Sequence, residues 1–222
     1  MLFQIFHHFH DYEGCRCCRA LVTKNTYFCQ LCLQHLQSVE HPHLFHRGDG
    51  PFDIYSLWDW SPLEEDRILR SLVINSKGQK DARHLKIWAV NFLNKLLQFS
   101  DYDFEKVHLV VPPTQRNFNH SLALARELSR LCGITEAQIH ELQENPQLKR
   151  RSTKELSGPE RKFEQGLPFI LRRPITNATS IIMVDDVVTT GSTAIRMWKS
   201  LGSPKSFEVW SLASRSRLAT NA

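Results

Sequence analysis

The sequence predicts an α/β protein: a parallel β-sheet flanked by helices, preceded by a small cysteine-rich module. Two observations carry this prediction. Short apolar runs of strand length alternate with helix-length amphipathic segments through residues 52–213, and this alternation is typical of parallel sheets with right-handed crossovers. Five of the six cysteines lie within residues 15–32, and such clustering in a chain without an export signal indicates metal binding rather than disulfides.

The strand-like segments are short and rich in β-branched or aromatic residues. They cover residues 52–60, 106–111, 137–142, 180–184 and 207–213. The helix-like segments carry apolar residues at spacings of three and four, and several end at a glycine. They cover residues 61–77, 81–97, 119–132 and 191–201. This order predicts strands joined by helical crossovers.

The composition indicates a globular protein. Of the 222 residues, 41% are hydrophobic and 23% are charged, which is ordinary for folded domains. A membrane-spanning helix needs about 18 or more consecutive apolar residues, and the sequence contains no such run. The N-terminus lacks the basic residues and apolar core of a secretory signal. We therefore expect a cytoplasmic protein without membrane insertion.

Charge is unevenly distributed along the chain, whose formal net charge is +5. Residues 1–60 carry four Lys or Arg against six Asp or Glu, whereas residues 61–222 carry 24 against 17. A basic main body favours phosphate-rich ligands such as nucleotides, sugar phosphates or nucleic acids. The excess is modest, and a mildly basic surface without such a role is the alternative.

The cysteine cluster contains two Cys-x2-Cys pairs, Cys15 with Cys18 and Cys29 with Cys32. The two-residue spacer lets both thiolates of a turn face one point, and two such turns complete a tetrahedral zinc site. Four Cys ligands leave no position open for a substrate. We therefore expect a structural Zn²⁺ that holds together a segment too small for its own core.

The sequence leaves alternatives for this cluster. Cys17 is able to replace Cys15 or Cys18, and His35 is able to enter as a ligand. A reduced, metal-free cluster is a further alternative. A redox dithiol is disfavoured, because that motif normally follows a strand of a βαβ unit.

A segment rich in Gly, Pro and charged residues, residues 41–51, predicts a linker after the cysteine cluster. The chain is therefore expected to divide into a zinc-binding N-terminal module with its linker, residues 1–50, and a main domain, residues 51–222.

The stretch from Ile181 to Thr193 carries the strongest functional pattern. An apolar strand runs into Asp185 and Asp186, and a hydroxyl-rich loop and a helix follow. Backbone N–H groups at the start of such a helix bind phosphate, and Gly191 allows a close backbone approach. The carboxylates are expected at the carboxyl edge of the sheet, where open α/β folds bind ligands. There they accept hydrogen bonds from sugar hydroxyls or help to hold Mg²⁺.

This stretch closely resembles the signature of type I phosphoribosyltransferases, which bind 5-phosphoribosyl-1-pyrophosphate (PRPP). The resemblance implies a type I phosphoribosyltransferase-like sheet, with Asp185 and Asp186 at the catalytic centre holding the ribose hydroxyls. It implies that Mg²⁺ is bound together with PRPP. It also implies a loop for the 5′-phosphate, made of Thr189, Thr190, Gly191, Ser192 and Thr193.

The order of the motifs resembles that of the ComF (competence protein F) family, whose members combine a small zinc module with a phosphoribosyltransferase domain. Residues 116–120 resemble a family segment written Arg-Gly-Phe-Asn-Gln, and residues 110–114 fall where the family has its pyrophosphate loop. Residues 147–163 are basic and contain Gly158-Pro159, and we expect a mobile lid there. A solvated basic loop is the alternative.

Two acceptor classes are disfavoured. In phosphoribosyltransferases of 6-oxopurines, an Asp three residues after the acidic pair deprotonates the base, and Thr189 stands at that position here. The clustered cysteines are better explained by zinc than by glutamine hydrolysis, which argues against amidophosphoribosyl transfer. His108 and His120 are candidates for moving a proton near the sheet edge, with packing as the alternative.

We therefore expect Mg²⁺-dependent phosphoribosyl transfer from PRPP to an unidentified acceptor. The resemblance to competence proteins implies an alternative: a catalytically weak PRPP-binding component of a DNA-uptake or nucleic-acid apparatus. Its partners would be single-stranded DNA and a helicase-like competence protein. A zinc-stabilised interaction protein with a degenerate site is a third interpretation, against which the intact acidic pair argues.

Overall fold

The structure is a computed structural model that describes residues 12–15, 18–23, 26–38, 44–48, 50–59, 71, 85–114, 118–146, 168–178 and 180–215. Most of the predicted helix at 61–77 and the whole predicted lid at 147–163 lie outside these residues.

The described residues form short strands and helices in alternation. The strands are β1 (Tyr12–Gly14), β2 (Leu21–Thr23), β3 (Phe45–Arg47), β4 (Asp53–Asp59), β5 (Val107–Val111), β6 (Ile139–Glu141), β7 (Gln143–Glu144), β8 (Phe169–Ile170), β9 (Ser180–Val188) and β10 (Phe207–Ser214). The α-helices are α1 (Gln30–Ser38), α2 (Leu85–Leu96), α3 (His120–Cys132) and α4 (Ser192–Ser200). No helix in this described part of the chain is long and apolar enough to cross a membrane.

Six strands form the main sheet, in the order β3-β4-β10-β9-β5-β6. Every neighbouring pair from β4 to β6 is parallel, and β3 runs antiparallel to β4. The helix α3 connects β5 to β6, and α4 connects β9 to β10. The predicted α/β class, a mostly parallel sheet flanked by helices, is therefore confirmed.

Successive side chains of β9 pack on opposite faces of the sheet, as the pleat of a strand requires. Ile182 and Val184 join a buried cluster that contains residues of α2 and α3. Ile181 and Met183 join a second cluster that contains Met197 of α4. Because helices cover both faces, the central strand is apolar on both sides, as its sequence indicated.

The strand β9 is longer than predicted. The sequence pattern ended this strand at Val184, because acidic residues are depleted in strands. In the structure the pairing of β9 with β10 continues through Asp185↔Ser211 to Val188↔Ser214. The acidic pair therefore lies within the last part of the strand, held by β10 on one side.

The predicted linker contains a strand. Phe45–Arg47 forms β3, which extends the sheet along β4 in the register Phe45↔Ser56 to Arg47↔Ile54. Three residues give no alternation long enough to distinguish a strand from a turn, so the sequence pattern missed it. The predicted boundary at residue 50 falls in the connection between these two paired strands, and the division into 1–50 and 51–222 stays a prediction.

The cysteine-rich segment packs against the main sheet. The ring centroid of buried Phe28 lies 5.4 Å from that of Trp88 in α2. The indole Nε1 of Trp58 in β4 donates a hydrogen bond to the carbonyl of Leu36 in α1 at 3.4 Å. The segment thus contributes its apolar side chains to the same buried cluster as the sheet.

The direction in which the chain moves across the sheet reverses between β5 and β9. From β5 the chain moves outward to β6, whereas from β9 it moves the other way to β10. The pairing of β5 with β9 ends at Val110↔Met183. Open α/β sheets bind ligands at such a point, outside the carboxyl ends of the two diverging strands.

We expect Phe28→Ala to destabilise the whole protein rather than the cysteine-rich segment alone. Truncation of a buried Phe costs about 3–5 kcal/mol, and here it also removes the ring that contacts Trp88. Urea unfolding followed by tryptophan fluorescence should show one transition at lower urea. The control is Leu31→Ala in α1, whose side chain is 77% exposed and which should leave the transition unchanged. Two separate transitions in the parent protein would contradict this expectation.

Candidate functional site

The segment after β1 and the start of α1 bring four cysteines together. Cys15 and Cys18 follow β1, and the Cys15 carbonyl accepts a hydrogen bond from the Arg19 N–H at 3.0 Å. Cys29 immediately precedes α1, and Cys32 lies in its first turn. Cys15 and Cys32 are buried, whereas Cys18 is exposed.

The geometry of these four side chains fits a tetrahedral metal ion. Their sulfur atoms all lie within 4.8 Å of one another, and the Sγ atoms of Cys18 and Cys29 are 3.6 Å apart. Zinc–thiolate bonds of about 2.3 Å place tetrahedral sulfurs about 3.8 Å apart. The backbone N–H of Cys29 also donates to the Sγ of Cys15 at 3.2 Å, an outer contact of the kind that orients metal ligands.

The cluster consists of the four cysteines of the two Cys-x2-Cys pairs. His35 lies on α1 but is not part of the converging group, and Cys17 lies outside the described residues. Within the described ranges, no other group of three or more His, Cys, Asp or Glu side chains is placed to hold a metal ion.

The acidic pair lies at the divergence of β5 and β9. Ser121 in the first turn of α3 donates its hydroxyl to Asp185 Oδ1 at 2.9 Å. The same oxygen accepts the backbone N–H of Asp186 at 2.9 Å, and Asp186 Oδ1 accepts the N–H of Val187 at 2.9 Å. Each carboxylate is therefore held in a defined orientation at the end of the strand.

Burial, with the neighbouring charge of Asp186, raises the pKa of the Asp185 carboxyl to about 7. The Ser121 hydroxyl acts in the opposite direction, because it donates to the ionised form. A carboxyl that titrates near neutral pH at a sheet edge is a common feature of ligand-binding and catalytic sites. A ligand that supplies hydroxyl donors or a cation here favours the ionised form.

The hydroxyl-rich loop turns directly into α4. Thr189 and Thr190 are exposed, and Thr190 Oγ1 accepts the N–H of Ser192 at 3.3 Å. Gly191 is the N-cap of α4, with φ of 73°. A Cβ at residue 191 would meet no atom within 4 Å, so the left-handed conformation, rather than lack of space, is what favours glycine there.

Two clefts meet at Asp185. The first, the loop cleft, has a volume of about 40 Å³ and is lined by residues 187–194 together with Met183 and Asp185. The second, the helix cleft, has a volume of about 160 Å³. It is lined by Pro112, Pro113, Thr114, Phe118, Asn119, His120, Ser121, Asp185 and Asp186.

Most of the predicted ligand-binding residues lie around these two clefts. The structure brings Asp185 and Asp186 together with the loop residues 189–193, and it places residues 112–114 on the other side of the acidic pair. Residues 115–117, which include the first part of the family-like segment 116–120, lie outside the described part of the chain. The four cysteines form a separate cluster.

The two histidines considered for proton transfer differ in position. His120 lines the helix cleft. His108 lines neither of the two clefts; its Nδ1 lies 2.9 Å from Nε2 of His140 on the adjacent strand β6. Burial lowers the pKa of His108 and of His140, so this pair favours its neutral, packed form.

Sequence analysis missed two residues that contact the site. Ser121 donates its hydroxyl to Asp185. The one feature of the sequence that could have indicated this role is the position of Ser121 in the first turn of α3, the helix that follows β5. Arg47 of β3 is only 9% exposed, and its guanidinium donates to the carbonyl oxygens of Thr189 and Arg215 at 3.4 and 3.3 Å. Because this segment was predicted to be a linker, Arg47 was not considered as a site residue.

Comparisons with known proteins add a distant likeness. No protein-family model matches the chain, and no curated protein matches its sequence. Among solved structures, the chain is similar to a purine phosphoribosyltransferase from Pyrococcus horikoshii Ot3, at 12% identity and a TM-score of 0.33. The likeness covers 59% of this chain and 81% of that chain. At this TM-score it carries no argument about function, so the class of the protein rests on its own fold and site.

We expect Asp185→Asn to stabilise the free protein at pH 8. The folded-state pKa of about 7 exceeds the unfolded value of about 3.9, so the parent loses stability as the pH rises from about 4 to 7. Asn cannot ionise and escapes this loss. Thermal unfolding without ligand should show a gain on the order of 1–3 kcal/mol at pH 8 that shrinks toward pH 5.

The control for this pH dependence is Asp101→Asn, an exposed carboxylate outside both clefts. It should behave like the parent at both pH values. Equal destabilisation by Asp185→Asn at pH 5 and pH 8 would instead mean that the Asp185 carboxylate supports the fold.

Proposed function

We propose that this chain binds PRPP and transfers its phosphoribosyl group to an acceptor. The supporting observation is the position of Asp185, which borders both the loop cleft and the helix cleft. PRPP has a ribose ring between a 5′-phosphate and a 1-pyrophosphate. A ligand of this form that spans the two clefts brings its ribose hydroxyls to Asp185 and Asp186.

The loop cleft suits the 5′-phosphate. It combines the N-terminus of α4 with side-chain hydroxyl groups, and both donate hydrogen bonds to an anion. The donors proposed for this phosphate are the backbone and side chains of Thr189, Thr190, Gly191, Ser192 and Thr193. The left-handed φ of Gly191 produces the turn that leads from the strand into the helix.

The helix cleft suits the pyrophosphate and the acceptor. In the proposed reaction the bond from the anomeric carbon to a pyrophosphate oxygen breaks, and the electron pair leaves with pyrophosphate. A lone pair of the acceptor forms the new bond to that carbon, and the proton that the acceptor gives up passes to water. Positive charge grows on the ribose during this exchange, and the carboxylates of Asp185 and Asp186 stabilise it.

The donor set in the helix cleft fits Mg²⁺. This ion is usually held by one or two carboxylates together with substrate phosphates and water, and the cleft contains two carboxylates. Bound with PRPP, Mg²⁺ would neutralise the charge that develops on the pyrophosphate. Asp186 is the carboxylate proposed to face it, while Asp185 is oriented by Ser121.

We also propose that Cys15, Cys18, Cys29 and Cys32 hold a structural Zn²⁺, as their converging sulfur atoms support. Relationship to the ComF family is proposed on the order of the sequence motifs: the two Cys-x2-Cys pairs first and the acidic pair with its loop near the C-terminus.

We expect about one zinc per chain after purification without added zinc. Cys32→Ser should lose the metal and lower the thermal midpoint, because Cys32 is buried in the core shared with the sheet. Metal analysis by mass spectrometry checks this, with Cys132→Ser, outside the cluster, as the matched control. A stable parent without any metal would contradict the zinc proposal.

We expect Asp185→Asn and Asp186→Asn each to weaken PRPP binding while the fold stays intact. Hydrogen bonds to charged groups contribute about 1.5–3 kcal/mol, so the dissociation constant should rise roughly 10- to 100-fold. Titration calorimetry with Mg²⁺ and PRPP checks this. Inorganic pyrophosphate should be affected less, because it has no ribose.

A parallel assay on the parent separates transfer from binding: pyrophosphate release is followed while the protein is incubated with PRPP, Mg²⁺ and a panel of acceptors. PRPP affinity together with pyrophosphate release in the presence of an acceptor panel supports an enzyme. PRPP affinity without release supports the alternative of a binding component, for which affinity for single-stranded DNA is the next measurement. Parent-like PRPP binding by the double Asn variant would overturn the ribose assignment.

A further inference from the structure

We propose that Arg47 is a positioning residue of the phosphate-binding loop: its buried guanidinium holds the Thr189 carbonyl, so that the following backbone N–H faces the ligand phosphate. This inference rests on the proposed function and adds a residue from a distant part of the chain to the same site.

The position of Arg47 supports this role. It lies on β3, at the edge of the sheet, and is 9% exposed. One guanidinium nitrogen donates both to the Thr189 carbonyl at 3.4 Å and to the Arg215 carbonyl at 3.3 Å. The side chain thereby connects the first residue of the loop to the residue that follows β10. A buried guanidinium is costly unless such acceptors surround it.

The geometry of the peptide bond determines which way the N–H after the Thr189 carbonyl points. The described chain has no cis peptide bonds, and in a trans peptide the C=O and the next N–H point in opposite directions. When Arg47 holds the Thr189 oxygen, the N–H of Thr190 must point away from Arg47. Thr189 and Thr190 line the loop cleft and Arg47 does not, an arrangement that is compatible with a Thr190 N–H that faces the cleft.

The positive charge of Arg47 also favours a phosphate in the loop cleft. A cation behind the loop raises the potential at the cleft, and burial limits its screening by salt. This adds to the positive end of α4, which begins at Ser192 beside the loop. The ligand group that gains from both effects is a phosphate monoester in the loop cleft, the 5′-phosphate end of PRPP.

The chemistry therefore predicts a selective loss. A phosphate in the loop cleft depends on Arg47, whereas pyrophosphate in the helix cleft does not touch the peptide that Arg47 holds. Removal of the guanidinium should weaken PRPP and ribose 5-phosphate by a similar factor and leave Mg²⁺-pyrophosphate nearly unchanged.

The test compares Arg47→Met, Arg47→Lys and the parent in calorimetric titrations with these three ligands. Arg47→Met should raise the dissociation constants of PRPP and ribose 5-phosphate roughly 10-fold, and that of Mg²⁺-pyrophosphate less than about 2-fold. Arg47→Lys keeps the charge and should recover most of the loss. The control is Arg130→Met, an exposed arginine that pairs with Glu127 and should bind all three ligands like the parent.

Each outcome either supports or overturns the role proposed for Arg47. If the parent binds neither sugar phosphate, the proposed function and this inference both fall. If the parent binds them and Arg47→Met binds them equally well, only the inference is overturned. An equal loss for all three ligands would assign Arg47 to the fold rather than to the loop. If Arg47→Met does not fold, Arg47→Gln decides, because it keeps a hydrogen-bond donor but removes the charge: a loss confined to the sugar phosphates supports the inference, and parent-like affinity overturns it.

Discussion

The arrangement of the candidate site depends on the separation of β5 from β9 after Met183. Up to that residue β9 is paired on both sides, and beyond it β10 alone continues the pairing. The space left by β5 is bordered by residues 112–114 and by the first turn of α3, which carries Ser121. Two clefts therefore meet at the carboxyl group of Asp185, as expected where the crossovers of a parallel sheet reverse direction.

Because of the same separation, the ionised Asp185 carboxylate lowers the stability of the protein when no ligand is bound. A carboxylate among packed strands loses hydration, and Asp186 adds a like charge beside it, so the pKa of Asp185 rises toward neutral pH. One serine hydroxyl and one backbone N–H offset part of this cost. Local instability of this kind is common where a protein keeps polar groups for a ligand.

The N-terminal segment contributes to the main body in two ways. Its apolar side chains enter the buried cluster beneath the sheet, which a segment of this size could not form alone. Its strand β3 continues the sheet and brings Arg47 against the loop that precedes α4. The cysteine cluster, β3 and the loop that precedes α4 are thus parts of one packed structure.

The sequence alone determined the features that depend on neighbouring residues. The alternation of strands and helices, the two cysteine pairs and the strand–acid–loop–helix order are all local patterns, each set by propensity or spacing within a few residues. Only the tertiary structure decided that β9 continues through Asp185, that three residues of a supposed linker form β3, and that Ser121 and Arg47 contact the site. These features depend on hydrogen bonds and burial between segments far apart in the chain, for example the contact of Arg47 with Thr189. No local pattern specifies such contacts, because a strand edge or a buried charge becomes favourable only when its distant partner is already in place.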